Sequence, residues 1–128
     1  MVTVMDIYKV IEKLKSIENR LGKKLPNAYK KFLSEEVGSK ECYEINNGGC
    51  VVYIYNVLDL IERNQTYAIQ NVEPDYLLIG QDGDLGYFIC LGDNDDKIYS
   101  LDLGALGSLE LDEEAKDLYS LGAGSGCS

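Results

Sequence analysis

Residues 76–104 read YLLIGQDGDLGYFICLGDNDDKIYSLDLG. Three runs in this stretch, YLLIG, GYFICLG and KIYSLDL, are dense in leucine, β-branched and aromatic residues, and QDGDL and DNDD separate them. Apolar runs of this length bounded by Gly, Asp and Asn read as strands. A parallel crossover needs about a dozen residues or more, so connections this short make the three strands antiparallel neighbours. The same stretch holds six aspartates, five glycines and a single lysine. The aspartates either grip a ligand, face a partner or simply turn corners.

Upstream, the pattern changes period. Ile7, Val10, Ile11, Leu14, Ile17 and Leu21 recur three or four apart, with Lys9, Lys13, Lys15 and Arg20 between them, which is the spacing of an amphipathic helix. Thr3 and Asp6 resemble a capping box at its start, and Gly22 is placed to end it. A second helix is expected from LPNAYKKFL, with Pro26 in its first turn, Ala28, Tyr29, Phe32 and Leu33 on one apolar stripe, and Gly38 as its stop. Tyr29, Phe32 and Leu33 are expected to face the sheet beside Ile7, Leu14 and Ile17. Residues 39–45 read as a polar stretch, NNGG (46–49) as a turn, and CVVYIYN (50–56) as a strand apolar on both faces.

VLDLIERNQTYAIQ returns to helical spacing through Val57, Leu60, Ile61 and Ala68, and LDEEAKDLYSLG reads as a short final helix. The tail AGSGCS offers no means of burying surface and is expected to be mobile. The fold class that results is α+β: N-terminal helices packed on a twisted antiparallel sheet, as a single domain over residues 1–121, with 122–128 as a flexible tail. A chain of 128 residues suits one domain.

Composition narrows the function classes. No apolar run approaches the ~20 residues of a membrane span, and the N-terminus lacks the order of a signal peptide, so a cytoplasmic setting is expected. Cys42, Cys50, Cys90 and Cys127 form no CxxC pair, and the chain has no histidine, so a zinc site is not expected. Cys50 and Cys90 lie in strand-like runs, where a reduced cysteine packs as a small hydrophobe. The sequon Asn64-Gln65-Thr66 is read as chance. Calcium loops need oxygen ligands at alternating positions and glycine at the sixth, and neither Asp82 nor Asp93 starts such a register. No cofactor is expected. Without histidine no ordinary Ser-His or Cys-His pair forms. Paired acids such as Asp82 and Asp84 suit acid–base chemistry only inside a cleft, which a hairpin turn does not supply. A non-enzymatic protein is expected, and turn chemistry explains the aspartates first.

Charge adds a direction. Residues 1–64 carry 10 Lys/Arg against 9 Asp/Glu, whereas residues 65–128 carry 2 Lys against 13 Asp/Glu, within a total of −10. A field of this kind attracts a basic partner and repels nucleic acid.

The order of these elements resembles the SUKH superfamily, which groups bacterial immunity proteins of polymorphic toxin systems with fungal cell-wall assembly regulators. The resemblance runs from IEKLKSIENRLG through KKLPNAYKKFLSEEVG and YIYNVLDLIERNQTYAIQ to YLLIGQDGDLGYFICL and KIYSLDLGAL, roughly residues 7–106. It implies a small cytoplasmic immunity protein that binds and neutralises a cognate toxin, often a nuclease. The alternative is a regulatory or scaffolding module of the cell-wall type. Nucleases that bind phosphates tend to be basic, so the expected toxin-binding residues are Asp82, Asp84, Asp93, Asp95 and Asp96, displayed on loops of the sheet.

Overall fold

The computed structural model of the chain describes residues 4–38, 43–47, 50–92, 95–107 and 110–121, with side chains from Tyr8 onward apart from Asn47 and Cys50. The Thr3 capping box, the side chain of Ile7, the Gly48-Gly49 corner, Asp93, three of the cysteines and the tail fall outside the described residues or side chains. The architecture is the expected α+β one. Helix α1 (Val4–Leu21) buries Val10, Leu14 and Ile17 and leaves Lys9, Lys13 and Lys15 in water. It closes at Gly22 (φ 70°).

Helix α2 (Asn27–Phe32) begins one residue later than expected, because Pro26 takes the capping position. It continues into a single π-helical turn (Leu33–Val37), within which Ser34 Oγ donates back to the Lys30 and Lys31 carbonyls at 2.8 and 3.2 Å. The wider turn lets Leu33, Ser34 and Val37 all face inward. Tyr29, Phe32 and Leu33 join Leu14 and Ile17 in the core, as the spacing predicts.

Glu18 ties the two helices together. Its carboxylate is buried, accepts from the Leu25 N–H at 2.8 Å and meets Lys30 Nζ at 3.2 Å. Burial pushes this carboxyl up, but the Leu25 bond, the Lys30 bond and the charges of Lys30 and Lys24 outweigh it and hold it below the ordinary value. The folded group thus titrates below its unfolded counterpart. Its contribution is complete above the unfolded value and is lost as pH falls through the folded one. Urea melts are expected to show a stability gap between the native chain and Glu18→Gln that is widest near neutrality and narrows below about pH 4. A gap constant into acid would remove Glu18 from the pH response.

The sheet is a six-stranded antiparallel meander in the order β1 (Tyr43–Asn47), β2 (Cys50–Ile54), β3 (Tyr76–Asp82), β4 (Leu85–Cys90), β5 (Ile98–Asp102), β6 (Asp112–Ala115). The three strands of residues 76–104 pair as expected, with Leu78 opposite Phe88 and Phe88 opposite Tyr99. Residues 77–79 and 87–89 are buried throughout, so both faces of the central sheet are covered. Gly80 allows β2 its close approach, since a Cβ there would stand 2.4 Å from the Tyr53 carbonyl oxygen.

Four local expectations are corrected. The polar stretch after Gly38 contains β1, whose Glu44–Ile45–Asn46 alternation puts only Ile45 inside. β2 alternates as well, with Val52 and Ile54 buried and Tyr53 46% exposed, so it is not apolar on both faces. The helix expected over residues 57–70 is two helices, α3 (Val57–Thr66) and α4 (Ile69–Val72). Ala68 adopts φ 50° between them and is exposed rather than part of the stripe. Residues 112–121 form β6 and one turn of helix, α5 (Leu118–Leu121), because the outer edge of β5 needs a pairing partner and Ser100 Oγ donates to Glu114 at 2.6 Å.

One feature of β3 has no counterpart in the strand ladder. β2 pairs β3 only at Gly80 and Gln81, so the first half of β3 extends past the end of β2. There the side-chain amide of Asn64 donates to the Leu78 carbonyl (2.8 Å) and accepts from the Leu78 N–H (2.9 Å), as a neighbouring peptide would. Gln70 Nε2 donates to the Tyr76 carbonyl at 2.8 Å and to Asn64 Oδ1 at 3.1 Å. An asparagine so buried and engaged is no sugar acceptor, in keeping with the chance reading of its sequon.

Candidate functional site

In an antiparallel meander consecutive turns alternate between the two ends of the sheet. The β3–β4 and β5–β6 connections share one end, and the β4–β5 connection lies at the other. The five aspartates expected to bind a partner are therefore not brought together. Asp82 and Asp84 stand at the β3–β4 turn, Asp95 and Asp96 precede β5 at the opposite end, and Asp93 lies outside the described residues. Strands of five or six residues put roughly 20 Å between the two groups.

The two ends use their acids differently. At the β4–β5 end the described aspartates Asp75, Asp95 and Asp96 are each engaged. Asp95 accepts from Tyr99 Oη at 2.7 Å and from the Lys97 N–H at 3.0 Å. Burial raises its carboxyl, but these two bonds and the Lys97 charge prevail and lower it. Asp96 accepts from the Ala28 N–H at 3.3 Å, and Asp75 pairs with Lys23 at 2.6 Å. The Gly92 N–H donates to the Lys24 carbonyl at 3.0 Å, fastening this end to the α1–α2 connection.

At the hairpin end, Asp82 and Leu85 close a two-residue turn of Gly83 and Asp84, with Gly83 at φ 61°. A two-residue loop needs positive φ at its first position, which Gly supplies without strain. The Leu103 N–H donates to the Asp84 carbonyl at 2.8 Å, locking the turn to the end of β5. Asp102 pairs opposite Leu85, and Asp112 pairs opposite Ser100. Burial first, then the charges of Glu114 and Asp82, raise the Tyr87 hydroxyl, which sets these two carboxylates on one face. Among the described residues, Asp82, Asp84, Asp102, Asp112 and Glu114 have no ion pair, whereas Glu113 meets Lys97 at 3.5 Å. The negative field of the C-terminal half is therefore least compensated here.

Beside the hairpin lies a cleft of about 310 Å³ lined by Tyr43, Tyr53, Tyr55, Asp59, Arg63 and Gln81. The Tyr55 hydroxyl donates to Gln81 Oε1, and Gln81 Nε2 donates to the Gly83 carbonyl at 3.0 Å, so the cleft and the turn are one rigid unit. Burial, only partly offset by Arg63, raises the Tyr55 hydroxyl and keeps it a donor. Tyrosine and arginine are over-represented among the residues that anchor protein interfaces. Among the described residues no group of three or more acidic or cysteine side chains is arranged to hold a metal ion.

Sequence reading selected Asp82 and Asp84 but missed Asp102 and Asp112. For Asp102 the signal was available, since once the strands are antiparallel alternate turns must share an end; Asp112 lay in a stretch read as helix. Tyr43 and Tyr53 were missed as site residues because β1 was read as a polar stretch and β2 as doubly buried.

No helix among the described residues is long and apolar enough to cross a membrane. Comparison with curated proteins finds no match. The family model of SMI1 / KNR4 (SUKH-1) matches residues 11–121, which takes in α1 from Ile11 onward, the whole sheet and the hairpin end. With helices, meander and match agreeing over that span, the chain belongs to the SMI1 / KNR4 family (SUKH-1).

Proposed function

We propose that this protein is an immunity protein: a non-enzymatic cytoplasmic binder that neutralises a cognate basic toxin, a nuclease being the type whose phosphate-binding cleft best fits it. The observation that carries the reading is the gathering of Asp82, Asp84, Asp102 and Asp112 toward one end of the sheet without cationic partners among the described residues, next to a tyrosine-lined cleft. A basic active-site cleft covered by such a surface is closed to its substrate, and no chemistry by the inhibitor is needed. Membership of the family is compatible with this role.

The test pairs the chain with toxin domains encoded beside its gene. Co-expression is expected to restore growth to cells making one of them, and the purified proteins are expected to form a complex. Failure of every adjacent toxin to bind or to be relieved would end the reading.

The hairpin acids also make a kinetic prediction. Charge steering raises association rates by about 10- to 1,000-fold and is screened by salt. The Asp82→Asn, Asp84→Asn double variant is expected to associate several-fold to about tenfold more slowly at low salt, with the difference erased at high salt. Asp95→Asn and Asp96→Asn are expected to change the association rate much less, because those carboxylates lie at the opposite end of the sheet, roughly 20 Å away and beyond a Debye length of about 10 Å at 0.1 M salt. Stopped-flow measurements at two ionic strengths decide between the two ends.

A further inference from the structure

A second groove shares Tyr43 with the cleft beside the hairpin. This groove, about 390 Å³ and open, runs between β1 and α5, with Phe32, Glu36, Glu44, Tyr43 and Tyr119 around it. It exists because the sheet is curled. Although β1 and β6 are its outer strands, Phe32 of α2 touches both Tyr43 on β1 and Tyr119 in the helical turn after β6. The ring centroids are 5.5 and 5.1 Å apart, with interplanar angles of 85° and 78°. Phe32 is buried, while Tyr119 is 43% exposed and Tyr43 half-buried, so the aromatic cluster reaches the surface.

Among the described residues that line it, the charged groups are all acidic. Burial, then Glu36, raises the Tyr43 hydroxyl, and burial, then Glu35, Glu36 and Asp117, raises that of Tyr119. Glu44 adds a further carboxylate to the rim. Aromatic rings joined to carboxylates attract a planar cation, because the ring faces are negative and the guanidinium is only weakly hydrated. The volume falls within the range of side-chain and small-ligand pockets.

We propose that the Phe32–Tyr43–Tyr119 groove is an anchor site for an arginine side chain of the bound partner. This deepens the reading of the protein as a binder of a basic toxin and rests on it only for the identity of the partner. The hairpin acids steer the encounter over a distance, whereas this groove holds one guanidinium after contact and slows release.

The peptide acetyl-Gly-Arg-Gly-amide tests the site without any toxin. Titrated into the full chain, it is expected to shift the ring resonances of Phe32, Tyr43 and Tyr119 in a saturable way. The matched citrulline peptide, of the same shape without the charge, is expected to bind about tenfold more weakly. Tyr119→Leu is expected to abolish the response and Glu44→Gln to weaken it, in chains whose other resonances stay native. Absence of ring shifts, equal binding of the citrulline peptide, or undiminished affinity in Tyr119→Leu would each overturn the proposal. None of these outcomes depends on whether a toxin binds, so the anchor site and the immunity reading fail separately.

Discussion

Phe32→Ala is expected to lower the free energy of unfolding by about 3–5 kcal/mol, the range for deleting a buried aromatic side chain. Phe32 is 4% exposed and is the ring through which α2 meets both outer parts of the curled sheet, Tyr43 on one side and Tyr119 on the other. Its removal opens a cavity where three elements converge and cancels two edge-to-face contacts, which contribute about 0.5–1.5 kcal/mol each beyond area burial. Phe32→Leu keeps most of the volume and is expected to cost less. Equilibrium urea melts of the two variants check the order. A loss below about 1 kcal/mol for the alanine variant, typical of an exposed site, would mean that α2 does not close the core.

Asn64→Leu is the second large effect. Leucine matches asparagine in shape, yet it offers nothing to the Leu78 N–H and C=O, which point away from β4 toward the space past the end of β2. Leu78 is fully buried, so water cannot replace the lost amide. Each orphaned buried group costs about 1–3 kcal/mol, and Gln70 loses one of its two acceptors as well. Gln70 is already committed to the Tyr76 carbonyl and is no substitute. Denaturant melts should register the loss, and hydrogen exchange should show the Leu78 amide among the most accelerated. A melting curve within about 0.5 kcal/mol of the native one, the size of an ordinary surface change, would show that the strand finds another partner.

Much of this fold was legible in the sequence. The α1 period, the antiparallel strands of residues 76–104 and the inward stripe of Tyr29, Phe32 and Leu33 all follow from local pattern, because one amphipathic face suffices to identify them. What local pattern missed was decided by long-range pairing. Residues 112–115, DEEA, carry no strand propensity, and they form β6 because β5 presents an unpaired edge. The helix expected over residues 57–70 breaks at Ala68, where Asn64 and Gln70 must both reach β3, a demand that no helical spacing reveals. The aspartates were legible as turn residues. Their sorting into an engaged group and an unpaired group required the register of the whole meander and the position of the α1–α2 connection.

The alternation of turns between ends has a consequence for how such a protein diversifies. At the β4–β5 end the described residues Asp95, Asp96, Asp75 and Gly92 tie the connection to β5 and to the α1–α2 turn, so a change there disturbs neighbouring elements. At the hairpin end the side chains of Asp82 and Asp84 bear no part of the turn, which is held by the Leu103–Asp84 backbone bond and by Gln81, so those two positions can change without loosening it. A lineage under pressure to track a changing adversary thus has one pole on which to write new specificities and another that keeps the fold intact while it does so.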